Sequence, residues 1–186
     1  MKEITYVTGN WAKIASAKQA LEPLGFKINN VKVETIEIQA DTMEEVAKYS
    51  AKYASDKLKN NVLKNDSGLV IPALNGFPGP YTHYVDDTLG EDGVLKLMEG
   101  KTDRYAYFIE ALAYCEYGKD PIVIVSKTEG EIALEKSGKY GWSWDFVFIP
   151  EGKDETLANY QDEERFTMWN MNGYGELANY LKTINK

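Results

Sequence analysis

Ile4-Thr5-Tyr6-Val7-Thr8-Gly9-Asn10-Trp11-Ala12-Lys13 is the stretch on which the reading of the fold turns. Residues Glu3 to Val7 alternate and include β-branched types, which predicts a strand. Thr8-Gly9-Asn10 breaks that pattern. From Trp11 to Leu21 the apolar residues Ile14, Ala17 and Leu21 share one helical face, and Gly25 ends the run. A strand that turns tightly into a helix presents free backbone N–H groups at the helix start, which attract phosphate with help from the helix dipole. Lys13, one turn in, adds positive charge. Taken alone, the segment also fits an ordinary strand–helix turn. It is not a Walker A loop, which needs a longer glycine-rich stretch ending in Gly-Lys-Ser/Thr.

Working outward, Phe26 to Ile36 predicts a second strand, and Asp41-Thr42 predicts the cap of a helix running from Met43 to about Asn60. Val62-Leu63 leads into Asp66-Ser67-Gly68, and Leu69 to Ile71 continues extended. Asn75-Gly76 and Pro78-Gly79-Pro80 are turns. A short helix is expected over Glu91 to Glu99 and a strand over Arg104 to Tyr117, with a turn at Gly118 to Pro121. Ile122 to Val125 and Glu129 to Ala133 predict two further strands. Trp144 to Ile149 predicts another, stopped by Pro150, and Gly175 to Lys182 a final helix. Early alternation of strand and helix followed by an antiparallel meander predicts a mixed α/β fold. The 186 residues suit one domain spanning 1–186.

Composition excludes several classes. The single cysteine, Cys115, rules out an internal disulfide and a cysteine-based zinc cluster, and the single histidine, His83, rules out a multi-histidine site. Any metal must therefore be a hard cation on oxygen ligands. With 21 basic and 29 acidic residues the net charge is −8, which argues against nucleic acid or an anionic membrane as partner but leaves room for a local pocket for a small phosphate ligand. No run approaches the ~20 apolar residues of a membrane-spanning helix. The N-terminal residues lack an apolar signal core. The expectation is a cytoplasmic protein.

Three more segments carry candidate chemistry. In Lys64-Asn65-Asp66-Ser67-Gly68-Leu69, a carboxylate at a strand end can hold Mg²⁺ or orient water, and Ser67 can donate to a phosphate oxygen. The same residues also fit an Asx-type turn. Asn75-Gly76-Phe77-Pro78-Gly79-Pro80-Tyr81 fixes an unusual loop. In Gly141-Trp142-Ser143-Trp144-Asp145, a tryptophan beside an aspartate can stack on a base and accept its N–H, or be a core tryptophan with a capping aspartate.

Together and in order, these segments resemble the inosine triphosphate pyrophosphatase family, over Ile4 to about Leu181. The family opening Thr-Gly-Asn-x-x-Lys is matched by Thr8, Gly9, Asn10 and Lys13, and its acidic–Asp–Ser/Thr–Gly-Leu segment by Asp66 to Leu69. Its Leu-x-Gly-x-Pro-Gly-x-Tyr turn is matched at Leu74, Gly76, Pro78, Gly79 and Tyr81, and its aromatic–Asp segment before Phe-x-Pro at Trp144, Asp145, Phe148 and Pro150. Glu37-Ile38-Gln39 is similar to the family's Glu-x-Gln segment. The resemblance implies an elongated α/β fold with a central curved mixed sheet and two lobes, with the nucleotide in the cleft between them. It implies a Mg²⁺-dependent homodimer that hydrolyses ITP, dITP and XTP to the monophosphate and pyrophosphate. By the same resemblance Thr8, Gly9, Asn10, Lys13 and Ser67 hold the triphosphate, Glu37 and Asp66 handle Mg²⁺, and Asp66 also activates the water, with Lys13 assisting catalysis. Trp144 stacks on the base and Asp145 accepts its N1–H.

The chain departs from that pattern in places. Asn65 stands where the family usually has glutamate, which removes one charge from the expected metal site. His83 stands where arginine or lysine is frequent, and is a candidate substrate contact. The family's Ser-His-Arg base-contacting motif is missing. Trp169-Asn170 aligns loosely with its His-Arg pair, and Arg165 is a candidate for the lysine that precedes it, although Glu164 aligns equally well. Two alternatives follow: a nucleotide hydrolase of the same fold with changed base specificity, or a catalytically silent nucleotide-binding relative.

Overall fold

The computed structural model describes residues 2–36 and 38–184. Strand β1 (Lys2–Val7) runs through the Thr8-Gly9-Asn10 turn into helix α1 (Trp11–Leu21), which returns the chain to β2 (Phe26–Val31). β1 and β2 are parallel, with Ile4 opposite Ile28, so the opening is a strand–helix–strand crossover, the connection that parallel strands require. The second strand is shorter than predicted: β2 ends at Val31, and residues 32–36 have no regular structure. Val31 and Val33 pack on Val7, Ala54 and Val62.

Helix α2 (Met43–Leu58) starts where the cap residues predict. The Thr42 side chain accepts from the Glu45 N–H and the Glu45 carboxylate accepts from the Thr42 N–H. Such reciprocal capping satisfies two helix-start donors that have no partner within the helix, and each is worth about 1 kcal/mol. β3 (Val62–Val70) then lies parallel to β1, with Tyr6 opposite Leu63. Helices α3 (Thr82–Thr88) and α4 (Gly90–Leu97) follow, then β4 (Tyr105–Cys115), β5 (Ile122–Ile132), the short β6 (Phe148–Pro150), α5 (Asp162–Thr167) and α6 (Asn172–Ile184). The strand order is β2-β1-β3-β4-β5-β6, and β5 pairs antiparallel with β6, so the sheet is mixed.

The residues group into two compact units. The first holds Met1–Asp66, Glu110–Ser126 and Met171–Lys186, and the second holds Ser67–Ile109 and Lys127–Asn170. In the first, Ile4, Tyr6, Leu21, Leu63, Leu112, Leu177 and Leu181 form the core. Helix α6 contributes Tyr174, Leu177, Ala178 and Leu181, an i, i+3, i+4, i+7 stripe. In the second, Leu69, Ile71, Val94, Met98, Ile132, Phe148 and Leu157 are buried together. Each such aliphatic or aromatic side chain contributes roughly 1.5–3 kcal/mol on leaving water.

Other local features differ from expectation. Residues 122–132 form one strand rather than two. The polar stretch between is carried without a break, because Lys127 Nζ lies 4.2 Å from the Tyr107 ring centre and Thr128 Oγ1 accepts from the Asn170 N–H. Ser143–Phe146 is a short 3-10 helix and not the start of a strand, since Gly141 and Ser143 both take positive φ and turn the chain. Helix α3 was not foreseen; its start is held by Thr82, whose hydroxyl donates to the Gly79 carbonyl at 2.7 Å and accepts from the Leu69 N–H. Among the described residues no helix is long and apolar enough to cross a membrane.

Candidate active site

In the first unit, the turn after β1 is held by its own side chains. Thr8 Oγ1 accepts from the Asn10 N–H at 3.2 Å, and Asn10 Oδ1 accepts from the Lys13 N–H at 3.3 Å, which makes Asn10 the side-chain cap of α1. Asn30 Nδ2 clamps the same turn from β2 through the Thr8 carbonyl at 2.7 Å. A Cβ added at Gly9 would meet nothing closer than Lys32 Cε at 3.9 Å. The turn itself does not demand glycine, so the missing side chain leaves the backbone there open to an approaching group.

Lys13 projects from this helix start toward β4, where its Nζ lies 3.6 Å from Glu110 Oε1. The same carboxylate oxygen accepts from Asn65 Nδ2 at 3.0 Å. Asn65 in turn accepts from the Tyr6 hydroxyl at 3.0 Å, and Tyr6 meets the Tyr174 hydroxyl at 2.6 Å. Burial pushes both phenols above their ordinary range, with the Glu110 carboxylate adding to the shift. The structure thus brings Thr8, Gly9, Asn10 and Lys13 to one helix start. Asp66, half-buried, lies within the unbroken strand β3 and not at a strand end or in an Asx-type turn as expected, because the Asp66-Ser67-Gly68 stretch stays in the ladder; Ser67, the first residue of the second unit, is exposed. Glu37 lies outside the described residues. Among the described residues no group of three or more His, Cys, Asp or Glu side chains gathers into a ready metal site.

The second unit holds the other candidates. Trp144 is 7 % exposed and belongs to the core, whereas Trp142 is 63 % exposed. The Asp145 carboxylate accepts from the Trp142 N–H at 3.2 Å and lies 3.5 Å from Arg165 Nε. Burial pushes the Asp145 carboxyl above its ordinary range, opposed by the Trp142 N–H and by Arg165. Arg165, only 1 % exposed, donates through Nη2 to Asp162 at 2.7 Å, while its buried Nη1 has no hydrogen-bond partner among the described residues. Its guanidinium carbon lies 5.3 Å from the centre of the Trp142 ring. Gly141 is required here, because a Cβ would approach Asp145 Oδ2 to 2.1 Å and Arg165 Nη1 to 2.4 Å.

Trp169 and Asn170 are engaged elsewhere in this unit. Trp169 packs edge-on to Phe108 at 5.0 Å and stacks with Phe148 at 6.5 Å. The Asn170 side-chain amide donates to the Lys127 carbonyl at 2.9 Å. His83 lies on an exposed face of α3, 3.6 Å from Asp87. Two residues with a place in these sets went unread in the sequence: Glu110, hidden in an apolar strand, and Trp142, which shares a segment with Trp144 and cannot be told from it without burial.

A model of the Ham1 family matches residues 4–168 of the chain. The dITP/XTP pyrophosphatase of Methanopyrus kandleri is 44% identical over 163 residues, covering 88% of this chain and 87% of that protein. The dITP/XTP pyrophosphatase of Thermococcus kodakarensis is 39% identical over 180 residues, covering 96% and 97%. Among solved structures, a HAM1 protein from Coxiella burnetii superposes with a TM-score of 0.83 at 29% identity, over 98% of this chain and all 100% of that one. The Staphylococcus aureus Ham1 protein does so with a TM-score of 0.84 at 26% identity, over 98% and 99%.

Proposed function

Because the chain belongs to the Ham1 family and is a nucleoside triphosphate pyrophosphatase, we propose that it hydrolyses the non-canonical purine triphosphates dITP, XTP and ITP to the monophosphate and pyrophosphate. The observation that carries the base preference is the Asp145–Arg165 pair, a buried acceptor beside a guanidinium whose Nη1 has no partner among the described residues. Hypoxanthine and xanthine present N1–H and O6, one donor and one acceptor, which complement a carboxylate and an N–H. Adenine presents the reverse at both positions and leaves buried polar groups unpaired, a mismatch worth a large discrimination. The exposed Trp142 ring, with Arg165 over one face, is the surface on which the base stacks, in place of the buried Trp144.

In the first unit, the backbone N–H groups after β1, with Thr8, Asn10 and Lys13, take the triphosphate; Ser67 is the donor that the family pattern adds. Water cleaves the anhydride between the α and β phosphates: its oxygen bonds to phosphorus, the bridging bond breaks toward pyrophosphate, and Asp66 takes the water's proton. Mg²⁺ fits a donor set of hard carboxylate oxygens, and it needs only one or two of them when phosphates complete its shell. Asp66 and Glu37 would hold it, and it would neutralise charge on the phosphates. The proposed working form is a homodimer in the cytoplasm.

A pyrophosphate-release assay with Mg²⁺ over dITP, XTP, ITP, GTP, ATP, CTP, UTP and dTTP tests this. Turnover of the first three over ATP and the pyrimidines is expected; guanine presents the same N1–H and O6, so this pair alone does not exclude GTP. Asp66→Asn should lose turnover while still binding nucleotide. Turnover centred on a pyrimidine or on ATP would overturn the base assignment, and unchanged turnover in Asp66→Asn would remove Asp66 from the chemistry.

A further inference from the structure

Glu110 has no part in the reaction as proposed, yet it is where two elements of the first unit meet. Its side chain is 14 % exposed, and one oxygen serves both Lys13 Nζ at 3.6 Å and Asn65 Nδ2 at 3.0 Å. Behind Asn65 stands a directed chain. The Tyr6 hydroxyl spends its single proton on Asn65 Oδ1, so Tyr174 must be the donor across the 2.6 Å contact with Tyr6. Every donor therefore points the same way, from Tyr174 to Tyr6 to Asn65 to Glu110. A carboxylate that only accepts sets that direction, because turning the Asn65 amide over would set its oxygen against Glu110. Tyr6 and Tyr174 both belong to the buried core of the unit, which makes the chain a rigid support.

We infer that Glu110 is the positioning residue for Lys13: it ties the lysine ammonium to a core-anchored hydrogen-bond chain and supplies beside Asn65 the carboxylate that position 65 lacks. A lysine has four flexible carbons and loses about 2 kcal/mol of rotamer freedom when held, so a fixed counter-charge sets the ammonium in place before the triphosphate arrives. The inference rests on the proposed reading of Lys13 as a triphosphate ligand.

The contact between positions 65 and 110 is chemically reversible: glutamate at 65 can accept from Tyr6, and glutamine at 110 can donate to it. The test compares Glu110→Gln, Asn65→Glu and the double exchange Asn65→Glu/Glu110→Gln, by steady-state hydrolysis of dITP and XTP and by melting temperature. Glu110→Gln should lower kcat about tenfold or more and leave KM within about threefold, the pattern of a misplaced group that acts in the transition state. Asn65→Glu alone sets two carboxylates in contact and should lower both kcat and melting temperature. The exchange should restore melting temperature and bring kcat back to within about threefold of wild type, a non-additive recovery. Wild-type kcat in Glu110→Gln would overturn the inference, as would a raised KM at unchanged kcat. So would an exchange that restores melting temperature but not kcat, since that outcome makes Glu110 structural. A wild-type protein that turns over no nucleotide overturns the functional reading instead, and the melting cycle then decides the pairing alone: recovery in the exchange supports it, and additive losses overturn it.

Discussion

Arg165 is a charged side chain enclosed by protein, with Asp145 and Asp162 on it and the Trp142 and Phe166 rings beside it. Removing one member of such a buried set leaves the other uncompensated, so Arg165→Met should cost about 3–5 kcal/mol in urea denaturation. The Asp145 carboxyl gives a pH signature. Its folded value is raised, so the stability it contributes is complete below the ordinary carboxylate range and is lost as pH rises through the raised value. The melting temperature of wild type relative to Asp145→Asn should therefore be highest near about pH 3 and fall toward about pH 7. A difference that stays flat, or rises, across that window would show that burial does not set this carboxyl. At this scale the sequence marked Asp145 and Arg165 as separate candidates but not their pairing, because they stand 20 positions apart with a helix start between them and no local pattern encodes the encounter.

Among the elements, the end of β5 is a tight junction. Gly130 lies opposite Pro150 of β6, and an added Cβ would come within 2.3 Å of the Ile149 carbonyl and 2.5 Å of the Phe148 ring. Neither neighbour has room to retreat: one is backbone, and the other is held in the core by Phe108 and Trp169. Gly130→Ala should destabilise by about 1–3 kcal/mol or more, read as a lower urea midpoint. A variant as stable as wild type would show that β6 can shift. Elements with strong local signals were legible: β1, α1, α2 with its Thr42–Glu45 cap, α4 and α6 all lie where periodicity and capping put them. The single strand β5 and the short helix at Ser143–Phe146 were not, since a lysine beside a tyrosine ring and two positive-φ residues overrode the local pattern.

For the whole molecule, β3, β4 and β5 each begin in one unit and end in the other, so the chain passes between the units within three continuous strands. Three of the four tryptophans, Trp142, Trp144 and Trp169, belong to the second unit, and Trp11 belongs to the first, so the fluorescence is read in a Trp11→Phe background. Leu177→Ala, in the core of the first, should therefore lower the tryptophan-fluorescence midpoint together with the far-UV midpoint, at a cost of about 2–5 kcal/mol. Fluorescence that keeps its wild-type midpoint would show that the units unfold separately. The sequence by itself determined the α/β class, the strand–turn–helix that presents Thr8, Gly9, Asn10 and Lys13, and the family. Those signals are local: apolar period, cap residues and turn glycines act over a few positions and survive in any context that completes the fold. Only the tertiary structure decided that Glu110 lies on Asn65 across 45 positions, that Arg165 lies on Asp145, and that Trp142 is the exposed ring while Trp144 is core. Strand order and helix docking set those contacts, and neither is written in the spacing of residues along one segment.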